Sequence, residues 1–304
     1  MKYMIIGAGG TGGILGYRLT EGGKDVTLIA RGAHLNAMKA QGLTVHQIWN
    51  DQTVVLPVKA AAEEEYEEQP DVILVCVKGY SLESVYPLIR RVSGPETVVI
   101  PILNIYGTGG KMQEELPGIL VTDGCIYVSA NVESPGVLKQ HGEICRVVFG
   151  VRKESEYRPV LQEIARDFEE CGIRGILSHN IQRDALQKFS YVSPIGAVGL
   201  YYNCAAGDVQ KEGEPREMFK AMIREIMALA EAMGIHFGQD IVAVNLKILS
   251  DLAPEATTSM QRDIMAGKDS EIDGLIYQVV RMGKEYGVSL PQYEKVAAKL
   301  EKRE

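Results

Sequence analysis

The first half of the chain alternates short runs of apolar, mostly β-branched residues with longer stretches whose apolar positions recur at helical spacing. Short apolar runs predict buried strands, and apolar positions that recur every third or fourth residue predict amphipathic helices. Strands that alternate with helices are typical of a parallel sheet covered by helices. The predicted strands are Tyr3–Ile6, Asp25–Ala30, Val72–Val77, Val98–Ile102, Leu120–Thr122, Ile144–Phe149 and Arg174–Leu177, and the predicted helices are Gly13–Glu21, Leu82–Arg91 and Arg158–Glu170.

Beyond about Leu177 the strand pattern stops, and apolar positions follow helical spacing for most of the remaining chain. Pro215 suits the first turn of a helix, where no N–H needs to be donated. The change of pattern predicts two domains, an α/β domain over residues 1–178 and an all-α domain over residues 179–304. The helices predicted in the second are His179–Val192, Pro215–Met233, Asp240–Leu252, Ser259–Met265 and Glu271–Tyr286, followed by a charged, frayed end at Glu294–Glu304.

Composition and charge narrow the classes of protein that fit this pattern. The net charge of −8 argues against a nucleic-acid partner, which requires a basic surface. No apolar run approaches the roughly 20 residues needed to cross a bilayer, and the start of the chain does not resemble a secretory signal. The five cysteines form no CxxC pair and the five histidines form no metal-binding spacing. We therefore expect a cytoplasmic protein without disulfides, metal or membrane partner.

A glycine-rich segment, Gly7-Ala8-Gly9-Gly10-Thr11-Gly12, lies between the first predicted strand and the first predicted helix. Its first, third and sixth residues fill the GxGxxG pattern of dinucleotide-binding βαβ units. There the first glycine permits a tight turn, the second lets the backbone approach the pyrophosphate, and the third lets helix and strand pack closely. The pyrophosphate meets the positive end of the helix. We therefore predict a Rossmann domain, a doubly wound parallel sheet, in which these residues bind a dinucleotide; the alternative is a purely structural loop.

The residue after the second predicted strand indicates which dinucleotide to expect. NAD-binding domains usually carry Asp or Glu there, which holds the ribose 2′-hydroxyl. Here Asp25–Ala30 leads to Arg31, with no acidic residue at that end. A guanidinium suits a 2′-phosphate and so favours NADPH over NADH. The alternative is an arginine that only faces solvent.

Two further polar residues follow predicted strands. Lys78 comes directly after Val72–Val77, and Asn104 comes shortly after Val98–Ile102, ahead of a predicted glycine-rich turn at Gly107–Gly110. Ligands of open α/β folds bind beyond the carboxyl ends of the strands. Both residues are therefore candidates for the cofactor and substrate region, although an exposed lysine and a turn asparagine would fit the same pattern.

Lys188 and Glu271 are the candidates in the helical half. Lys188 lies on the first predicted helix, beside Phe189 in a mostly apolar stretch. Reduction of a ketone needs a proton donor at the developing oxyanion, and burial lowers the pKa of a lysine toward the working range. Glu271 stands in a Ser-x-x-Asp sequence, Ser270 to Asp273, which is typical of a helix start. The pattern alone equally fits an exposed lysine and a glutamate that only stabilises the helix dipole.

Taken together, these residues resemble the ketopantoate reductase (2-dehydropantoate 2-reductase) family over essentially the whole chain. The most specific match is a Ser-Met-x-x-Asp helix followed by a Glu-Ile-Asp helix start, separated as in the family. The order and spacing of all the segments together carry the resemblance. The matching segments are Gly7–Gly12, Arg31, Val75–Lys78, Asn104, Lys188, Ser259–Asp263 and Ser270–Asp273.

The resemblance implies a Rossmann domain followed by a helical domain like the C-terminal domain of 6-phosphogluconate dehydrogenase, with the site in the cleft between them. It implies NADPH-dependent reduction of a small 2-oxo acid, by default 2-dehydropantoate to pantoate in pantothenate biosynthesis. It implies that Lys188 is the general acid, that Glu271 organises the cofactor end of the site and that Ser259 contacts the substrate. Asn104 and Lys78 would line the nicotinamide and substrate region. A homodimer is the assembly to consider.

Several positions depart from the family pattern. Asparagines that face the substrate usually lie one and two helical turns after the catalytic lysine and just ahead of a later glycine; the corresponding residues here are Val192, Gly196 and Ala206. Ile105 stands where the turn after Asn104 usually begins with glycine. A pocket that loses polar partners binds a hydroxyl and a carboxylate more weakly. Either neighbours such as Ser193 or Asn203 compensate, or the substrate is not ketopantoate.

Three hypotheses remain open at this point. The first is an NADPH-dependent reductase of 2-oxo acids. The second keeps the fold and the chemistry but takes a less polar 2-oxo acid or another carbonyl compound. The third is a dinucleotide-binding sensor without catalytic activity, which has no evident need for a proton donor such as Lys188.

Overall fold

The computed structural model describes residues 1–301 and divides into two compact units. The first comprises Met1–Leu103 and Gly107–Ile181. Within the described residues, the second comprises the chain from Gln182 to Glu301 together with the three residues Asn104–Tyr106, which interrupt the first unit. An α/β unit and an all-α unit were predicted, and this fold class is confirmed.

The first unit contains thirteen strands and five α-helices. In chain order they are β1 Lys2–Ile6, α1 Gly10–Glu21, β2 Asp25–Ile29, α2 Gly32–Gln41, β3 Leu43–Gln47, β4 Gln52–Leu56, β5 Lys59–Ala61, β6 Val72–Val75, α3 Tyr86–Val92, β7 Val98–Pro101, α4 Thr108–Glu115, β8 Leu120–Val121, β9 Asp123–Tyr127, β10 Ala130–Ser134, β11 Val137–Gln140, β12 Arg146–Gly150, α5 Val160–Glu170 and β13 Arg174–Leu177.

The main sheet of this unit has six parallel strands in the order β5-β2-β1-β6-β7-β8. Successive side chains of a strand point to opposite faces, and the buried residues of β1 divide accordingly. Tyr3 and Ile5 pack into one apolar cluster, whereas Met4 and Ile6 pack into another. Since both clusters include residues of the flanking helices, the sheet is covered on both faces. The chain leaves β1 with β2 on one side and β6 on the other, the switch point at which doubly wound folds bind ligands.

Two smaller sheets were not predicted. One has the order β10-β11-β3-β4, and the other has the order β13-β12-β9. The predicted strands Ile144–Phe149 and Arg174–Leu177 belong to the second of these, where β12 pairs antiparallel with β9, so their placement in the parallel sheet was wrong. Strands β4 and β10 are mostly exposed edge strands, and their mixed polarity gives no buried run to detect.

The glycine-rich turn expected at Gly107–Gly110 is instead the start of helix α4. Gly107 adopts a left-handed conformation with φ 76°, and the helix begins at the next residue. The backbone N–H groups of Gly109 and Gly110 donate to the buried carboxylate of Asp123. Burial raises the pKa of this carboxyl above its usual value, and Arg152 and these two bonds offset part of that rise. The positive end of α4 is therefore bound by a carboxylate from the same unit.

The helices of the second unit are α6 Ile181–Tyr202, which carries the chain into it, α7 Ala206–Gln210, α8 Glu214–Ala232, α9 Ile241–Ser250, α10 Ser259–Met265, α11 Gln278–Tyr286 and α12 Pro291–Leu300. A π-helical turn, Asp273–Tyr277, leads into α11. Helix α12 corrects the frayed end expected at Glu294–Glu304, of which residues 302–304 lie outside the described part. Buried Glu225 fixes its start by accepting the N–H groups of Gln292 and Tyr293 at 2.7 and 3.1 Å.

Helix α6 continues ten residues past its predicted end at Val192, because the proline within it is accommodated. Pro194 has no N–H for the carbonyl of Ser190, four residues earlier. The side-chain amide of Asn245, which is 1% exposed, donates to that carbonyl at 3.0 Å. A tertiary contact thus replaces the lost helical bond. None of the helices within residues 1–301 combines the length and apolar character that crossing a bilayer requires.

Candidate active site

The glycine loop lies at the switch point of the parallel sheet. Gly7 has φ 95°, a conformation that favours glycine, and its N–H donates to the carbonyl of Ile29 at 3.1 Å. A Cβ on Gly7 would lie 2.9 Å from the carbonyl oxygen of Cys76. A Cβ on Gly12 would collide with the carbonyl oxygen of Gly7 and lie 2.9 Å from Cys76 Cβ. These glycines therefore permit the tight turn and the close packing of helix and strand.

Gly9 differs from these glycines, since a Cβ built on it meets no heavy atom within 4 Å. Gly9 is the N-cap of α1, and no side chain caps that helix. The half-buried Thr11 lies in its first turn. An open space in front of uncapped N–H groups is what a pyrophosphate needs, and a side chain at Gly9 would fill it. The loop thus fits a dinucleotide.

Arg31 and Lys78, both predicted to bind the cofactor, follow strands whose carboxyl ends lie beside the glycine loop. Ile6 of β1 lies opposite Ile29 of β2 and Val75 of β6, so the segments that follow these three strands emerge side by side. Arg31, two residues past Ile29, is exposed and is the N-cap of α2, which also has no side-chain cap. Lys78, three residues past Val75, is half-buried at the N-cap of a short 3₁₀ turn and is not the fully exposed lysine that the sequence also allowed.

In the second unit, the structure brings Lys188 and Asn104 together. Lys188 lies on α6 and is 9% exposed, and its Nζ donates to Oδ1 of Asn104 at 2.6 Å. An ammonium that is almost fully buried needs such an acceptor, because an unpaired buried charge is costly. Lys188 is therefore a partly desolvated cation held in a defined direction.

The three-residue segment that carries Asn104 is fixed at two more points. Ile105 packs into the notch left by Gly274, where a Cβ would lie 2.6 Å from Ile105 Cγ1. The side-chain amide of Gln278 donates to the carbonyl of Tyr106 at 2.9 Å. Gly274 lies in the π-helical turn and Gln278 is the first residue of α11. The acceptor that faces Lys188 is thus held by the same helical segment that follows Glu271.

Glu271 and Ser259 occupy defined positions in the second unit. Glu271 is 6% exposed, and its carbonyl accepts the N–H of Leu275 at 3.0 Å. Asp273 lies in the π-helical turn, and its carboxylate pairs with Arg281 through two contacts of 2.8 Å. Ser259 is half-buried at the first position of α10, after the N-cap Thr258.

The positions that depart from the family pattern provide little polarity. Val192 is half-buried one turn after Lys188. A Cβ on Gly196 would lie 2.7 Å from Met260 Cε, so a methionine methyl group fills the space of a longer side chain there. Ala206 is 3% exposed, and its N–H donates to a neighbouring carbonyl at 3.0 Å. The polar atoms of a family-like pocket are therefore not restored at these three positions.

The two neighbours considered as replacements lie in different surroundings. Ser193 is fully buried, and its hydroxyl lies 2.5 Å from the carbonyl oxygen of Leu275 and 2.6 Å from the hydroxyl of Tyr293. A hydroxyl has one proton, so Ser193 donates to the carbonyl and accepts from Tyr293. Asn203 is exposed just past the end of α6 with φ 54°, a conformation in which asparagine is tolerated.

Sequence patterns missed the residues that support the site. Gly274 and Gln278 hold the segment with Asn104, and His34 contacts the glycine loop through its Nε2, 2.8 Å from the carbonyl oxygen of Ala8. None of the three belongs to a motif. The position of His34 on the helix that follows Arg31 was a weak signal, but only the folded chain reveals its contact.

Comparison with known proteins agrees with the two-part architecture. Residues 3–154 match the family described as ketopantoate reductase PanE/ApbA, and residues 180–304 match the ketopantoate reductase PanE/ApbA C-terminal family. The chain belongs to the ketopantoate reductase family. This family consists of oxidoreductases that act on a CH–OH/C=O pair.

Relatives of this family match over nearly their whole length. A 2-dehydropantoate 2-reductase from Aquifex aeolicus is 26% identical over 100% of this chain and 97% of its own. An uncharacterized oxidoreductase, YkpB, from Bacillus subtilis is 25% identical over 99% of this chain and 98% of its own. Among solved structures, D-mandelate dehydrogenase in a ternary complex with NADH and anilino(oxo)acetate has a TM-score of 0.89 at 22% identity, covering 97% of this chain and 96% of that one. That last likeness concerns the fold.

Proposed function

We propose that this ketopantoate reductase family member reduces a small 2-oxo acid with NADPH. Residues 1–178 hold the cofactor and residues 179–304 provide the proton donor. The observation that carries the proposal is the buried ammonium of Lys188, 2.6 Å from Oδ1 of Asn104. When bound, the nicotinamide supplies a hydride to the carbonyl carbon of the substrate, and the oxygen becomes a hydroxyl.

The proton that completes this reaction comes from Lys188. Hydride arrival leaves a negative charge on the substrate oxygen, and a positioned ammonium both attracts that oxygen and gives it a proton. The neutral amine then takes a proton from solvent, which restores the starting state. Asn104 directs the ammonium through its Oδ1 and keeps its NH₂ group as a donor. We place Glu271 at the cofactor end of the site, and we expect Ser259 to contact the substrate.

NADPH rather than NADH is favoured by Arg31. Its guanidinium follows β2, at the edge of the sheet where the glycine loop also leaves, and the uncapped start of α2 adds a partial positive charge. Both features suit the 2′-phosphate that distinguishes NADPH. We expect Arg31→Ala to weaken NADPH binding about tenfold or more, the value of a charge-assisted bond. NADH binding, measured in parallel by nicotinamide fluorescence, should change less than about twofold; an equal loss for both cofactors would contradict this assignment.

The central test is turnover by a lysine variant. Lys188→Ala should lower kcat for 2-oxo acid reduction by about 10²–10⁴-fold, the usual contribution of a general acid, while NADPH affinity is retained. Lys247→Ala is the matched control, because Lys247 is an exposed lysine of α9 paired with Asp251. Full activity of Lys188→Ala, or no NADPH oxidation by wild-type protein with any acid of a broad panel, would remove the proposal. Turnover at ordinary enzyme rates would exclude the non-catalytic sensor.

The substrate has two candidates. Ketopantoate, converted to pantoate for pantothenate biosynthesis, is the default of the family. A less polar 2-oxo acid is favoured by Val192, by the methyl group of Met260 beside Gly196 and by the commitment of Ser193 to core contacts. Comparing kcat/KM for ketopantoate with that for 2-oxo acids bearing alkyl or aryl groups decides between them, since a preference for ketopantoate by orders of magnitude removes the second candidate. Self-association into a homodimer and location in the cytoplasm stay predictions.

A further inference from the structure

One imidazole links the glycine loop to two other parts of the first unit. His34 lies in the first turn of α2 and is half-buried. Its Nε2 is 2.8 Å from the carbonyl oxygen of Ala8, in the loop. Its Nδ1 is 3.0 Å from the backbone nitrogen of Gly136, in the turn between β10 and β11. A helix, a loop and a hairpin therefore meet at this side chain.

Only one form of the imidazole satisfies both contacts. A backbone N–H can only donate and a backbone carbonyl can only accept. Nδ1 must therefore be the acceptor for Gly136, and Nε2 must carry the proton that is donated to Ala8. His34 is thus a neutral ring with the proton on Nε2.

The same hairpin also supports the loop from outside. A Cβ on Gly10 would lie 2.5 Å from the carbonyl oxygen of Ala130 in β10, and one on Gly13 would lie 2.5 Å from a methyl carbon of Leu138 in β11. The loop and the first turn of α1 therefore rest directly on β10 and β11. His34 adds a hydrogen bond at Ala8, just before the helix begins.

The bond to Ala8 controls the direction of the next N–H group. Because a trans peptide is planar, its carbonyl and its N–H point in opposite directions. With the carbonyl of Ala8 turned to His34, the N–H of Gly9 points away from that ring. Gly9 faces the open space described above and has no side chain to restrict rotation of its peptide. Without His34 this peptide could turn its carbonyl oxygen toward a bound anion.

We propose that His34 is a positioning residue for the dinucleotide, acting through Ala8 to aim the N–H of Gly9 at the pyrophosphate. This inference rests on the proposed cofactor function and goes beyond it, because it assigns a role to a side chain outside the glycine motif. The role concerns the pyrophosphate alone, so it applies equally to NADPH and NADH. A fragment without a pyrophosphate, such as 2′-AMP, does not depend on it.

Three substitutions separate the two bonds of the ring. His34→Gln places an amide NH₂ near the position of Nε2 and can still donate to Ala8. His34→Asn places an oxygen near the position of Nδ1, so it can accept from Gly136 but does not reach Ala8. His34→Leu loses both bonds. His46→Leu is the matched control, since His46 is a half-exposed histidine of β3 whose Nδ1 lies 2.6 Å from Glu133.

The measurements are the Kd values of NADPH and NADH by nicotinamide fluorescence and of 2′-AMP by NMR titration. His34→Leu and His34→Asn should weaken both dinucleotides about tenfold, as expected for loss of an oriented donor, and should leave 2′-AMP unchanged. His34→Gln should stay within about threefold of wild type, as should His46→Leu. In ¹⁵N-labelled wild-type protein, the imidazole shifts of His34 should show a neutral ring protonated at Nε2.

The outcomes that overturn the inference are distinct from failure of the proposed function. Wild-type protein that binds neither dinucleotide contradicts the proposed function. If wild type binds them but His34→Leu binds equally well, or loses 2′-AMP as strongly as NADPH, only the positioning role is wrong. If His34→Leu does not fold, the comparison of His34→Asn with His34→Gln decides, and equal Kd values overturn the role. A proton on Nδ1 in the NMR spectrum also overturns it.

Discussion

The ammonium of Lys188 and the side-chain oxygen of Asn104 lie 2.6 Å apart, although 84 residues separate them in the chain. Asn104 follows a strand of the parallel sheet, yet it belongs with Ile105 and Tyr106 to the compact unit that contains Lys188. The proposed proton donor is therefore oriented by a residue contributed from the first half of the sequence.

Removing the acceptor should reduce catalysis without unfolding the protein. Asn104→Leu has a similar volume but cannot accept the bond from Lys188, and hydrogen bonds to charged groups contribute about 1.5–3 kcal/mol. We expect kcat to fall about 10- to 100-fold, measured as NADPH oxidation with a saturating 2-oxo acid. Asn36→Leu, an exposed position on α2, should have no effect. Unchanged kcat in a folded Asn104→Leu protein would show that the contact does not direct the proton donor.

The fit of Ile105 against Gly274 should behave as a size-matched pair. Gly274→Ala inserts a Cβ against the Ile105 side chain, and we expect it to lower the free energy of unfolding by about 1–3 kcal/mol and to reduce kcat. Ile105→Ala in the same chain removes the clash, so the double variant should recover part of both losses. Urea unfolding and steady-state kinetics give the coupling between the two sites.

The control for that pair is another glycine-to-alanine change in a helix. A Cβ on Gly110 in α4 meets no heavy atom within 4 Å, so Gly110→Ala should be neutral or slightly stabilising. If the losses in free energy of unfolding caused by Gly274→Ala and Ile105→Ala simply add in the double variant, the two side chains do not interact as described.

Because of the proline in α6, the side-chain amide of Asn245 should contribute more to stability than a typical hydrogen bond. Asn245→Leu leaves the buried carbonyl of Ser190 without the donor that replaces the missing N–H of Pro194, and it should lower the free energy of unfolding by about 1–3 kcal/mol. In a Pro194→Ala chain the helix supplies an N–H to the same carbonyl, so the same substitution should cost about 1 kcal/mol less. Urea unfolding of the four proteins measures this difference, and an equal cost in both backgrounds would rule the compensation out.

Glu225 should make stability depend on pH in a predictable direction. Burial raises its pKa above the usual value, partly offset by the N–H bonds from Gln292 and Tyr293. As pH rises above the ordinary range of a glutamate, the unfolded chain releases this proton before the folded chain does, so stability falls until the raised folded pKa is passed. Glu225→Gln lacks this titration. Its free energy of unfolding, measured by urea at a series of pH values, should therefore fall less steeply there than that of wild type; identical slopes would contradict the assignment.

Local sequence predicted the elements with a strong pattern. The parallel strands carry unbroken apolar residues such as Val72–Val75, and the glycines before α1 meet steric demands within a few residues of chain. Edge strands such as Gln52–Leu56 and the short helix after Gly107 were missed, because their residues are stabilised by partners distant in sequence. Helix α6 was ended too early for the same reason, since a proline is tolerated only when another residue satisfies the freed carbonyl.

The sequence by itself determined the two-part fold class, the buried parallel strands, the glycine loop and the family to which Lys188 and Glu271 point. Those features depend on residue type and on spacing along the chain. Only the tertiary structure decided that Asn104 faces Lys188, that Ser193 serves the core and that His34 supports the loop. These contacts depend on packing between segments that lie tens of residues apart in the chain. Hydrogen bonds between such distant residues produce no repeating pattern of residue types, so the sequence alone does not predict them.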